Sequence, residues 1–220
     1  MCIRDRFTGG APTLTSAEIK EVNDAYAKMT SINCYRNIDE AVRNKTSYAG
    51  TIFLDDTYAS AYFRKGSLAF PPYGILASSM EHEFIHMYQR DVQGKKVDTD
   101  KEKRDTGMME FELAFYQGII RYIHAGYSWT FKGEDGDPSY QSLWTSGLTD
   151  PSLIPQYERE FQTYVASICA NGKPTSIDIN EFVKWSNIFG EYSRGYSGKG
   201  YKFGNYDYGT SCINSLLKLY

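Results

Sequence analysis

The sequence predicts a mostly helical α+β fold, with a small sheet gathered just ahead of one helix. Two observations carry this. Apolar residues recur at helical spacing through much of the chain, and three short aromatic or β-branched runs cluster between residues 51 and 70. At 220 residues, with 41% hydrophobic and 15% aromatic content, the chain is long enough to bury a substantial core. It reads as one domain over 7–220, with a core at about 50–125 and a helical C-terminal part at about 138–220. Met1-Cys2-Ile3-Arg4-Asp5-Arg6 reads as a translated sequencing adapter and carries no fold information.

Thr15-Ser16-Ala17-Glu18 forms a capping box, and Ile19, Val22, Tyr26 and Met29 follow at helical spacing, so the first helix spans about 16–30. A shorter helix holds Ile38, Ala41 and Val42. Thr51–Leu54, Ser60–Phe63 and Ser67–Phe70, the last stopped by Pro71-Pro72, are runs that fit two or three short strands. A helix then starts near Tyr73–Leu76 and runs to about Arg90. Residues 91–107 are almost wholly polar and read as an exposed loop. The next helix, about 107–125, carries Met109, Leu113, Tyr116, Ile120 and Ile123 on one face. Residues 126–140 read as loop. Two further helices hold Ile154, Tyr157, Phe161, Val165 and Ile168, and then Phe182, Trp185, Ile188 and Phe189. Residues 192–210 are rich in Gly, Tyr and Ser without a clear period and read as a flexible loop. A short helix around Ile213, Leu216 and Leu217 closes the chain.

The net charge of −3 gives no electrostatic reason to expect nucleic acid as a partner. No apolar run approaches the roughly 18–20 residues that span a bilayer. Cys2, Cys34, Cys169 and Cys212 form no C-x-x-C pair, which argues against a cysteine zinc knuckle. Cys169 sits in an apolar helical pattern and reads as a small core residue, although one bridge among Cys34, Cys169 and Cys212 stays open. The Tyr-, Gly- and Asn/Ser-rich composition leans toward a secreted or cell-envelope bacterial protein.

The chemistry concentrates in His82-Glu83-Phe84-Ile85-His86. Residues four apart lie on one helix face, so His82 and His86 aim at a common point, as two ligands of a tetrahedral zinc must. Glu83 lies beside that point, where it can take a proton from a metal-activated water and deliver it to a leaving amine. These roles describe metal-assisted hydrolysis of a peptide or protein substrate. Two of the chain's three histidines fall in the motif. Zinc also needs a third protein ligand and an open fourth position. Met108-Met109-Glu110-Phe111-Glu112-Leu113-Ala114 offers two carboxylates on the following helix.

This layout resembles the gluzincin metallopeptidases, whose thermolysin-like members pair HExxH with a glutamate from a later helix. It is also similar to uncharacterised bacterial zincin-like proteins with an E-F-E-A-type string. The resemblance covers about residues 50–125 and rests on His82–His86 and Glu110–Glu112. It implies a zincin-like fold, bound Zn2+, Glu83 as the catalytic base, and Glu110 as the third ligand beside His82 and His86. Those families often place Asp or Asn four residues after the ligand, where this chain has Ala114. Helical geometry pulls the other way on the ligand. Glu112 shares the apolar face with Met109, Leu113 and Tyr116, whereas Glu110 shares a face with Ala114, Gln117 and Arg121, so Glu112 stays open as the alternative.

Other candidates carry less. His124 reads as a solvated residue at a helix C-terminus rather than a ligand. The tyrosines of 192–208 include candidate donors to an oxyanion, none singled out by spacing. Ser67–Phe70 could be an edge strand that pairs with an extended substrate. Asp55-Asp56 could bind calcium but more simply marks a turn. The rival to an enzyme is a non-catalytic zincin-like binding domain with a structural or vestigial metal site.

Overall fold

The computed structural model describes residues 14–45, 51–54, 62–64, 67–70, 76–95, 103–124, 149–193 and 196–220. The adapter-like N-terminus, Asp55-Asp56 and the 126–140 segment lie outside them. The described chain is mostly helical with a few short strands. It forms two compact units, Met1–Lys95 with Leu219, and Lys96–Lys218 with Tyr220. The division falls inside the expected 50–125 core, between the histidine motif and the paired glutamates.

In the first unit, α1 (Ser16–Ser31) opens on the expected capping box. The Thr15 hydroxyl accepts from the Glu18 amide, and the Glu18 carboxylate accepts from the Thr15 amide at 2.6 Å. α2 (Asn33–Lys45) packs back on it. The carboxylate of Asp39 is buried between them, satisfied by the Tyr26 hydroxyl and the Arg43 guanidinium, each at 2.7 Å. Pairing of this kind makes a buried charge tolerable. Asn37 of α2 donates to the carbonyl of Leu219, bringing the chain end back to this unit.

The sheet has the order β1-β3-β2, from Thr51–Leu54, Ser67–Phe70 and Tyr62–Arg64. β3 pairs in parallel with β1 and antiparallel with β2. The expectation of an open edge at Ser67–Phe70 is therefore corrected: β3 is the central strand, and both of its hydrogen-bonding edges are taken. Its consecutive Leu68, Ala69 and Phe70 are all buried, the pattern of a strand covered on both faces.

The motif helix α3 (Ala77–Met87) continues into a π-helical turn, Tyr88–Val92. Met80, Phe84, Ile85 and Met87 sink into the core, and the Phe84 ring meets Tyr26 of α1 at 6.2 Å. Burying each such side chain contributes roughly 1.5–3 kcal/mol, which anchors the helix and leaves His82 and His86 half-buried.

In the second unit, α4 (Lys103–His124) is the central helix, and it begins inside the stretch expected to be loop. An amphipathic helix was expected. Instead Met108, Met109, Phe111, Leu113, Phe115, Tyr116, Ile119 and Ile120 are buried together with Glu112, Gln117 and Arg121, because neighbours cover nearly every face. α5 (Ile154–Ile168), α6 (Ile179–Tyr192) and α7 (Ser211–Leu217) pack against it. Phe111 and Phe115 of α4 meet Phe182, Phe189 and Phe161 at centroid distances of 5.0–6.0 Å.

Between α5 and α6 lies a hairpin absent from the sequence reading, β4 (Cys169–Ala170) with β5 (Lys173–Pro174). Asn171 and Gly172 both have positive φ, 54° and 74°, the two-residue turn that Asn-Gly favours. Cys169 is thus a half-buried strand residue rather than part of a helical core. Cys34, Cys169 and Cys212 are all free thiols, so no bridge forms among them. No helix among the described residues is long and apolar enough to cross a membrane.

Candidate metal centre

On α3 the i, i+4 spacing does what helix geometry requires. The Nε2 atoms of His82 and His86 lie 3.2 Å apart, with the rings edge-on at a centroid distance of 4.7 Å. The other nitrogen of His86, Nδ1, is 2.8 Å from Oε1 of Gln89. A carbonyl oxygen only accepts, so Nδ1 is the donor in this contact, and Nε2 is the nitrogen turned toward His82. Gln89 is fully buried in the π-helical turn that follows α3, and π-turns of this sort recur at functional sites.

Glu83 is also buried, at 3% exposure. Its Oε1 stands 3.9 Å from Nε2 of His82, too far for a hydrogen bond. The carboxylate therefore stands beside the His82 imidazole without a direct hydrogen bond to it.

The two carboxylates of α4, in the second unit, have different surroundings. Glu112 is fully buried, and its Oε2 accepts from the buried Tyr208 hydroxyl at 2.8 Å. Glu110 is half-buried, and its Oε2 accepts from the Tyr196 hydroxyl at 2.7 Å. Both tyrosines come from the segment expected to be a flexible loop. It is instead strapped onto α4 and α6. The Gly204 amide donates to the buried Ser186 hydroxyl at 3.0 Å, and Phe203 lies against Gly190 so closely that a Cβ there would overlap its ring. The Tyr196 ring packs on Phe189 and Tyr201 at 5.1 and 5.4 Å.

His124 is exposed at the end of α4, as expected, with its ring edge-on to Tyr220 at 5.9 Å. Although the residue as a whole is exposed, the imidazole is partly covered by its neighbours, and that desolvation lowers its pKa.

Three residues at these sites escaped the sequence reading. Gln89 had a signal, since it lies three residues after His86 and so on the same helix face. Tyr196 and Tyr208 had none, being 86 and 96 residues from their partners. In comparisons with known proteins, no family model matches the chain, and neither a curated protein nor a solved structure does.

Proposed function

We propose that the protein is a zinc-dependent metallopeptidase in which His82, His86 and Glu110 hold the metal and Glu83 is the general base. The observation that carries this reading is the histidine pair, with its Nε2 atoms 3.2 Å apart and the His86 tautomer held by Gln89. Glu110, on the helix that follows the motif in the chain, supplies the carboxylate that the resemblance to the gluzincins implies as third ligand. Two imidazole nitrogens and one carboxylate oxygen are a donor set that zinc favours, and three protein ligands leave a position open. Glu112 is the poorer third ligand, because it is sealed in the helical core against Tyr208.

Zinc, when bound in such a set, acidifies water and polarises a carbonyl. The chain's own residues do the rest. His86 donates from Nδ1 to Gln89, which turns Nε2 toward the same point as Nε2 of His82. Glu83, buried and 3.9 Å from Nε2 of His82, accepts a proton from the attacking water and passes it to the departing amine. Burial strengthens each of these electrostatic contacts relative to water.

The test is elemental analysis of wild type beside His86→Ala and Glu83→Gln, with hydrolysis of a denatured protein substrate measured in parallel. Near-stoichiometric zinc in wild type and Glu83→Gln, zinc lost in His86→Ala, and hydrolysis only in wild type is the expected pattern. Zinc retained with no hydrolysis by wild type would point to a binding domain instead. No zinc in any of them would end the metal reading.

A further inference from the structure

We infer that Tyr196 is a positioning residue that sets how Glu110 offers its carboxylate to the metal; this rests on the proposed ligand set. The Tyr196 hydroxyl donates to Oε2 of Glu110 at 2.7 Å. A carboxylate with one oxygen engaged by a phenol presents the other, Oε1, as a single ligand atom. A carboxylate without that partner can turn to bind through both oxygens, raising the coordination number and filling the position a water needs.

The local structure supports a dedicated role. The Tyr196 ring is wedged among Phe189, Tyr201 and Phe203, at centroid distances of 5.1–6.3 Å. The strap that carries it is pinned through Gly190 and through the amide of Gly204 on Ser186. The hydroxyl is therefore held at a defined place. The same strap sends Tyr208 to Glu112, which makes an internal comparison: one tyrosine bonds a sealed carboxylate, the other a half-buried one.

The test replaces zinc with cobalt in the full chain and compares wild type, Tyr196→Phe and Tyr201→Phe. Four-coordinate cobalt gives intense visible bands, which weaken as the coordination number rises. Phenylalanine keeps the ring in its aromatic nest, so folding is retained, and a circular dichroism melt checks this. Tyr196→Phe should lose band intensity and bind metal about 10–100-fold more weakly by chelator competition. Tyr201→Phe should match wild type in both. A wild-type spectrum reproduced by Tyr196→Phe, with unchanged affinity, would overturn the inference and leave the metal reading intact. A wild type that takes up no cobalt would overturn both.

Discussion

Nδ1 of His86 and Oε1 of Gln89 are 2.8 Å apart, the amide oxygen accepting the ring's proton from within a fully buried π-helical turn. This bond selects one imidazole tautomer and fixes the ring's rotation. Outer partners of metal-bound histidines typically contribute 10–100-fold in metal affinity. Gln89→Leu should therefore weaken zinc binding by about that factor. Gln89→Glu keeps an acceptor and should retain most of it. Competition with a chromophoric chelator reads both.

Tyr208 donates to Glu112 where neither is open to water. Removing the hydroxyl takes a hydrogen bond from a buried carboxylate, at a cost of about 1–3 kcal/mol. Tyr208→Phe should lower stability by that amount in urea unfolding while leaving zinc affinity unchanged. A loss of zinc affinity with unchanged stability would show that Glu112, not Glu110, serves the metal.

Gly190 lets the strap lie on α6, since any side chain there meets the Phe203 ring. Gly190→Ala should force that ring out and destabilise the unit by about 1–3 kcal/mol, the usual range for overpacking. Limited proteolysis should then cut within 196–205, where wild type resists. Equal resistance in the variant would mean that the ring can move aside freely.

Burial lowers the pKa of His124 below its ordinary 6.5. The unfolded chain then binds the proton more readily than the folded one. Stability contributed by this residue is present above that ordinary value and declines as pH falls below it. Unfolding of wild type and His124→Gln at pH 8, 6.5 and 5 should show a shallower decline in the variant. Parallel declines would assign the pH dependence to other groups.

The features legible in the residues alone are those set by short spacing. The capping box at Thr15–Glu18, the helices around Val22, Phe161 and Phe182, and the shared face of His82 and His86 depend on contacts within one or two turns, which backbone geometry dictates. The mostly helical class followed from the same periodicity. Where side chains compete over long separations, spacing is silent. Glu110 and Glu112 differ by two positions on one helix, and their different surroundings include tyrosines 86 and 96 residues away. Likewise β3 reads as a strand from its composition, but its place between β1 and β2 comes from pairing with both. On α4, Gln117 and Arg121 lie off the apolar face and are nonetheless buried, since burial belongs to the neighbours a residue acquires rather than to the residue itself.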